Sequence, residues 1–295
     1  MKCLSVSCLG LALIALGFSG CHSSGITPNT PTPSTPPPQT LFVANFNGTV
    51  MEYAPPYSGS PTTTISTGEP WALALNSSDD LFVANSHAAN TVTEYAPPYT
   101  GAPIATVSNG VCAAEGVALN SSGDLFVGNY CNGTSNVTEY APPYTGAPIA
   151  TITNSVGSAE GVAFNSSDDL FIANDNNVTE YAAPYTGAPI ATITNSVTAA
   201  VAVAFNSSGD LFVANANTPG NVTEYAPPYT GAPIATITTD VTIPYGLALN
   251  SSGDLFVANS GNGTVTEYAS PYTGSPIATI TINGSSRLKG LAITK

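Results

Sequence analysis

Six residues in equivalent places of a repeated sequence differ sharply in chemistry. Each lies five positions before the end of a short apolar segment, and the set contains two carboxylates, two aromatic rings, one amine and one valine: Trp71, Glu115, Glu160, Val201, Tyr245 and Lys289. Carboxylates serve as general bases, and aromatic rings stack against ligands. We predict that all except Val201 bind a ligand. The alternative is that they are ordinary entry residues on drifting loops.

Three further side chains extend this candidate site. His87, Tyr130 and Asp175 lie in loops that we expect on the same face of the molecule. Histidine can act as a base or a metal ligand, although a single loop histidine is more often a bystander. We include all three as ligand-binding candidates and assign no catalytic residue.

The segment that precedes these loops is the clearest repeat in the chain. Leu-Phe-Val-Ala-Asn, or a variant differing at one position, begins at Leu41, Leu81, Leu125, Leu170, Leu211 and Leu255. A period of about 40 to 45 residues is typical of four short strands and their turns, as in one blade of a β-propeller. We name these strands a to d in chain order, with Leu-Phe-Val-Ala-Asn as strand b.

The array is cut out of phase. It begins at strand b with Leu41 and ends with an unpartnered strand a, Gly290-Leu-Ala-Ile-Thr294. Joining the two ends removes open sheet edges. The sequence therefore predicts an all-β fold over residues 41–295, a six-bladed β-propeller with four-stranded antiparallel blades, closed by the C-terminal strand joining the N-terminal blade. Seven blades would require a cryptic repeat, which residues 22–40 cannot supply.

The loops predict two unlike faces. The a–b and c–d connections have constant lengths, whereas the b–c connections vary from blade to blade. Because the strands are antiparallel, the b–c and d–a loops lie together on one face. We call this the variable face and the other the uniform face. Binding residues concentrate on loops held by a rigid scaffold, so we place the site on the variable face.

Motifs shared by the repeats resemble those of a known family. Pro-x-Gly-Leu-Ala-Leu, Gly-Asp-Leu-Phe-Val-Ala-Asn and Gly-Thr-Val-Thr-Glu-Tyr resemble NHL-repeat propellers across residues 41–294, and the Thr-Glu-Tyr strand is similar to that of virginiamycin B lyase-type propellers. The resemblance implies the fold, because such propellers serve as scaffolds, receptors, lactonases and lyases. The catalytic His and Glu set of the lyases is not matched, since only His87 follows the N-terminal segment.

Cys112 and Cys131 occur in one blade only. Cys112 precedes strand a and Cys131 follows strand b of the same blade, so antiparallel pairing makes them neighbours. In an oxidising compartment this arrangement favours a disulfide. Two free thiols or a metal pair are the alternatives.

Two residue types recur in every blade. Strand c carries a glutamate, at Glu52, Glu94, Glu139, Glu180, Glu224 and Glu267. We interpret these as structural and expect no cofactor, with weak calcium sites, or zinc at the channel, as the alternative. The c–d loop carries a tyrosine, at Tyr57, Tyr99, Tyr144, Tyr185, Tyr229 and Tyr272. Their rings cover the blade cores or, alternatively, stack on sugars.

The N-terminal segment predicts export. Residues 1–20 read as a signal peptide, and the small residues before Cys21 resemble the lipobox of bacterial lipoproteins, in which the cysteine is lipidated. Residues 21–40 are rich in Pro, Thr and Ser and read as an extended tether. We expect a protein of the bacterial cell envelope, held to a membrane only through its lipid anchor, or alternatively an ordinary secreted protein.

Charge and repetition narrow the function. Only 4 Lys or Arg face 18 Asp or Glu, which argues against nucleic acid as a partner. We predict a monomeric binding or scaffold module that recognises a glycan, peptide or protein through its variable face. The alternative is a metal-assisted, lactonase-like hydrolase or a lyase that uses Glu115 and Glu160 at the channel mouth.

Overall fold

The computed structural model describes residues 38–131, 133–282 and 287–295. These residues form 24 strands arranged as six four-stranded antiparallel sheets. The innermost strands of neighbouring sheets contact one another all the way around, so the sheets are the blades of a closed six-bladed propeller. We number the blades I to VI in chain order, starting from the blade that contains Leu41. The described part contains no helix long and apolar enough to span a membrane. The predicted signal peptide, Cys21 and the tether up to residue 37 lie outside the described residues.

Each blade runs from strand a at the channel to strand d at the rim. Blade I contains β24 (Leu288–Ile293), β1 (Leu41–Asn45), β2 (Thr49–Tyr53) and β3 (Thr63–Ser66). Blades II and III contain β4 (Glu69–Leu75), β5 (Leu81–Ser86), β6 (Thr91–Tyr95) and β7 (Ala105–Val107), then β8 (Ala114–Leu119), β9 (Leu125–Cys131), β10 (Thr134–Tyr140) and β11 (Ala150–Ile152). Blades IV and V contain β12 (Gly161–Phe164), β13 (Leu170–Ala173), β14 (Val178–Tyr181) and β15 (Ala191–Ile193), then β16 (Ala200–Phe205), β17 (Leu211–Asn215), β18 (Asn221–Tyr225) and β19 (Ala235–Ile237). Blade VI contains β20 (Pro244–Leu249), β21 (Leu255–Asn259), β22 (Thr264–Tyr268) and β23 (Ala278–Thr281).

The seam of the ring is closed as the sequence predicts. β24 pairs antiparallel with β1, and Leu291 lies opposite Val43. Gln39, assigned to the tether from sequence, completes the seam: its carbonyl accepts a hydrogen bond from Tyr57 Oη at 3.0 Å. Its Oε1 accepts from both the backbone N and the Oγ of Ser251, each at 2.8 Å.

Gln39 reproduces the contacts of a normal a–b hairpin. In blade IV the equivalent residue is Asp168, whose carbonyl accepts from Tyr185 Oη and whose carboxylate accepts from Ser121 of the neighbouring blade. Contacts with the propeller therefore begin two residues before the first strand.

The cores lie between adjacent blades. The Leu-Phe-Val-Ala residues of strand b are fully buried on both faces of the sheet, which explains why this segment lacks an alternating pattern. One core, for example, joins Phe212 of blade V to Leu255 and Tyr272 of blade VI. Each strand b thus serves two cores and fixes the position of both neighbours.

The uniform face is built from the same contacts in blade after blade. In the a–b hairpin of blade VI, Asn250 Oδ1 accepts from the backbone N of Ser252 and of Asp254, and its Nδ2 donates to the Asp254 carboxylate at 2.9 Å. The tyrosine of each c–d loop donates to a carbonyl of an a–b hairpin or, in blade I, of Gln39. Tyr272 also packs edge-on against Phe212, with ring centroids 5.2 Å apart. These tyrosines cover the ends of the cores.

Candidate functional site

The six non-repeating residues meet at one mouth of the central channel. Strand a supplies the wall of a narrow cavity, whose lining includes Trp71, Glu115, Glu160, Val201 and Tyr245 at its upper edge. In five blades a β-bulge lies at this position, for example between Ala114 and Gly116 opposite β9. A bulge leaves one residue out of the ladder and re-aims its side chain. The bulged residue is the one that the repeat comparison singled out.

Small residues let the six positions approach one another. The residue after each mouth position is Gly or Ala throughout the ring. A Cβ placed on Gly246 would lie 2.2 Å from the carbonyl O of Lys289, and one on Gly290 would lie 2.7 Å from Ala72 Cα. A larger side chain there would push neighbouring blades apart. The channel is therefore tight, and the mouth side chains lie side by side above it.

Lys289 is held between two aromatic rings of the neighbouring blades. Its Nζ lies 3.6 Å from the ring centroid of Trp71 and 3.2 Å from that of Tyr245. The side chain is only 8% exposed. Burial lowers the pKa of Lys289 to about 7, while the carboxylates of Glu160 and Glu115 act in the opposite direction. The two ring faces also favour the charged amine, because each offers its negative quadrupole to the cation.

Glu115 and Glu160 lie in adjacent blades on the other side of the mouth. Glu115 is 6% exposed. Burial and the neighbouring Glu160 raise the pKa of Glu115 to about 7, and Lys289 opposes this shift. Burial also raises the pKa of Glu160; Lys289 lowers it, and Asp175 raises it further. The two carboxylates therefore hold protons far more tightly than exposed glutamates do.

A wider cavity opens from the mouth towards blades III and IV. We call it the mouth groove; it has a volume of about 600 Å³ and is lined by Trp71, Glu115, Tyr130, Gly157, Ser158, Glu160, Asn174, Asp175, Asn176 and Tyr245. Tyr130 is 46% exposed, so its ring is open to a ligand. Six of the eight predicted site residues line this one cavity. The other two, Lys289 and His87, contact its aromatic residues.

An aromatic cluster continues from Trp71 away from the mouth groove. The ring centroids of Trp71 and His87 are 5.8 Å apart, and Phe46 lies 5.5 Å from Trp71 and 5.9 Å from His87. Arg287 places its Cζ 4.9 Å from the Phe46 centroid. Neither Phe46 nor Arg287 was predicted as a site residue. Phe46 directly follows the first Leu-Phe-Val-Ala-Asn, the same repeat position as Tyr130, so the comparison between blades contained the signal.

A uniform layer of buried asparagines supports the variable loops. The asparagine that ends strand b accepts a hydrogen bond from a backbone N–H of the d–a loop in five blades. In blade VI, Asn259 Oδ1 accepts from Thr242 N at 2.9 Å, and its Nδ2 donates to Thr266 Oγ1 at 2.9 Å. Each asparagine thus joins strands b and c to the loop that enters strand a. In each of these blades the mouth residue follows three positions after the bonded N–H group.

Cys112 and Cys131 are neighbours, as the sequence predicts. Both are thiols in the structure, and Cys131 Sγ donates to the carbonyl O of Cys112 at 3.6 Å. Burial and the adjacent thiol raise the pKa of Cys131 to about 12. The disulfide between them stays a prediction.

The strand c glutamates lie on the uniform-face side and are partly buried. In blade V, burial and the neighbouring Asp210 raise the pKa of Glu224 to about 7. Burial and the equivalent aspartate raise the pKa of Glu94, Glu139, Glu180 and Glu267 in the same way. Within the described ranges, no group of three or more His, Cys, Asp or Glu side chains is arranged to hold a metal ion.

Comparisons with known proteins support the fold and give no information on the function. No family model and no curated protein matches this sequence. The crystal structure of a protein of unknown function from Bacteroides caccae, at 1.35 Å resolution, superposes with a TM-score of 0.68. Its sequence is 12% identical, and the match covers 88% of this chain and 99% of that one. At this identity the similarity shows a shared six-bladed propeller fold alone.

Proposed function

We propose that this propeller is a binding module whose ligand enters the mouth groove on the variable face. The observation that carries the proposal is convergence: the positions that break the repeat come from different blades and line one cavity. A repeat that served only as a scaffold has no reason to diverge at its channel mouth in each blade.

The chemistry of the mouth supports binding as well. Burying a carboxylate without strong donors is unfavourable, and Glu115 is buried while Glu160 is partly buried. An exposed aromatic ring beside them, Tyr130, offers a surface on which a ligand can stack. A glycan, a peptide or a segment of a protein fits these features as the bound partner.

Screening the purified protein against glycan and peptide arrays tests the proposal. Any ligand found should lose affinity by about fivefold or more in Tyr130→Ala, since truncating an anchoring aromatic residue typically costs more than 1 kcal/mol. Ile277→Ala is the matched control, because Ile277 is another exposed large apolar residue, 59% exposed, at the rim. A ligand whose affinity falls in the control and not in Tyr130→Ala would move the site away from the mouth.

A second candidate is acid–base catalysis at the same place. It is favoured by Glu115, whose pKa of about 7 suits a group that accepts and donates protons near neutrality. The metal-assisted form fits less well, since Glu115 and Glu160 supply two carboxylates and the described residues contain no larger metal-binding group. Turnover of a bound ligand that disappears in Glu115→Gln, with binding retained, would establish this function.

Export and lipidation remain part of the proposal. They rest on the apolar segment before Cys21 and on the Pro-rich residues that follow. Expression in a bacterium with a radiolabelled fatty acid tests them. The label should be incorporated into the protein and be absent from Cys21→Ser, whereas a soluble, unlabelled product would favour ordinary secretion.

A further inference from the structure

The mouth groove contains polar groups that have no hydrogen-bond partner among the described residues. Glu115 is 6% exposed, and no described residue donates a hydrogen bond to its carboxylate. The Oγ of Ser158, a residue of the same groove, is buried without a hydrogen-bond partner among the described residues. Buried polar groups are nearly always hydrogen-bonded, so each unpaired group calls for an explanation. For the Glu115 carboxylate, a ligand that brings hydrogen-bond donors supplies one.

The same wall carries an excess of negative charge. Glu115, Glu160 and Asp175 all line the mouth groove. The cations nearby are Lys289, held between two rings, and Arg287, which stacks on Phe46. Glu160 raises the pKa of Glu115, and Asp175 raises the pKa of Glu160, so these negative charges act on one another. A positively charged donor placed among them relieves this repulsion.

The protein's own amine lies against rings of the same groove. The ammonium group of Lys289 lies over Trp71 and Tyr245, which also line the mouth groove. The ring faces and the carboxylates of Glu160 and Glu115 favour its charged form, although burial lowers its pKa to about 7. A small metal ion fits less well, since no group of three or more ligating side chains is available in the described ranges. An organic amine instead offers N–H donors to carboxylates.

The shape and lining of the groove favour a sugar as the carrier of this amine. Between Tyr130 and Glu160 the wall consists of small polar residues: Gly157, Ser158, Asn174 and Asn176. Their hydroxyl, amide and backbone groups suit a ring of hydroxyls, and the exposed face of Tyr130 suits the C–H face of a pyranose. A volume of about 600 Å³ is ample for a short oligosaccharide.

We propose that the mouth groove binds an amine-bearing sugar of the glucosamine type, with its protonated amine between the carboxylates of Glu115, Glu160 and Asp175. The inference rests on the proposed binding function and specifies its ligand class. The sugar ring stacks on Tyr130.

Isothermal titration calorimetry with two matched probes tests this inference. The hexamer of glucosamine carries the amines, and the hexamer of N-acetylglucosamine has the same backbone without the charges. At about pH 6.5 we expect the amine form to bind at least about tenfold more tightly, because a buried charge pair is lost on acetylation. The preference should shrink as the salt concentration rises.

Variants then locate the amine. Glu115→Gln with Glu160→Gln should remove the preference for the amine form while keeping the shape of the mouth. Glu94→Gln on the uniform face is the control for removing a partly buried carboxylate. If the double variant does not fold, Asp175→Asn, at an exposed loop position, should still reduce the preference by a measurable factor.

Several outcomes would overturn the inference. Equal or tighter binding of the acetylated hexamer, lost in Tyr130→Ala, would refute the amine and leave the binding function intact. Tighter binding of a lysine-containing tripeptide would replace the sugar with a peptide. If neither hexamer binds, and no glycan or peptide on the arrays binds either, both the inference and the proposed function fail.

Discussion

The uniform face and the variable face are built from the same repeat but differ in how much residue variation they contain. On the uniform face, the a–b hairpins and c–d tyrosines repeat the same hydrogen bonds around the ring. On the variable face, the mouth position carries five different residue types in six blades. The contrast arises because the uniform-face tyrosines fill cores between blades, whereas the mouth residues project from bulges into a cavity. Substitutions on the uniform face therefore destabilise the fold, whereas substitutions on the variable face can alter binding.

The difference predicts that equivalent substitutions separate stability from binding. Tyr272→Ala on the uniform face removes a buried ring packed against Phe212 and a hydrogen bond to Gly253. It should lower the free energy of unfolding by about 3 to 5 kcal/mol, measured by urea denaturation. Tyr130→Ala on the variable face should change it by less than about 0.5 kcal/mol, because the ring is exposed. A Tyr130→Ala variant as unstable as Tyr272→Ala would remove the distinction between the faces.

The next largest effect concerns the cysteines, which make blade III exceptional. If Cys112 and Cys131 form a disulfide on export, it closes a loop of about twenty residues and contributes on the order of 3 kcal/mol to stability. Cys131→Ser should lose this contribution, and reduced wild-type protein should match the variant. The intact mass of exported protein, measured without reductant, should lack two hydrogen atoms. Two titratable thiols in that sample would show that the pair stays reduced.

The asparagine layer should cost less to disturb than a core tyrosine but more than a loop residue. Asn259→Ala leaves the N–H of Thr242 and the carbonyl of Val257 without their side-chain partner. Losing a buried hydrogen-bond network of this kind should lower the free energy of unfolding by about 2 kcal/mol. Hydrogen exchange should increase in the d–a loop before β20. Unchanged exchange there would mean that the variable loops do not depend on this layer.

The smallest effect is a change of stability with pH on the uniform face. The pKa of Glu224 is raised from 4.5 to about 7 in the folded protein. The folded state therefore binds the proton more tightly, so stability is greatest below the ordinary pKa and is lost as pH rises towards 7. Unfolding by urea should be harder at about pH 5 than at about pH 7, and Glu224→Gln should flatten this dependence. Lys289, with a pKa lowered to about 7, is charged in both states below that pH and adds no slope there. A stability that falls on acidification across this range would contradict the prediction.

The fold could be predicted from the sequence because the same strand pattern occurs six times along it. Blade number, strand order and closure by β24 follow from the positions of Leu41 and Leu291 in their repeats, and the structure confirms them. The contribution of Gln39 could not be foreseen. It lies in a Pro-rich segment, and its likeness to Asp168 rests on hydrogen bonds rather than on residue type.

The sequence predicted which residues lie at the channel mouth, but not how they contact one another. Comparison of the blades placed Trp71, Tyr245 and Lys289 at the channel mouth, where the structure has them. The contact among these three depends on the narrow radius set by the small residues that follow them, and on how far the lysine side chain extends. The mouth groove, likewise, exists because bulges and b–c loops of different lengths leave space in blades III and IV. Neither the radius of the channel nor the size of the mouth groove can be predicted from the residue types alone.

Blade I reverses the order in which the other blades are made. Blades II to VI receive their four strands consecutively, so each can pair its strands as soon as they leave the ribosome. β1, β2 and β3 are synthesised first, yet their inner partner begins only at Leu288. Without β24, five blades would keep their four strands and the first would have an open inner edge. The first sheet in the chain is the last to be completed, so closure of the ring requires the C-terminal strand.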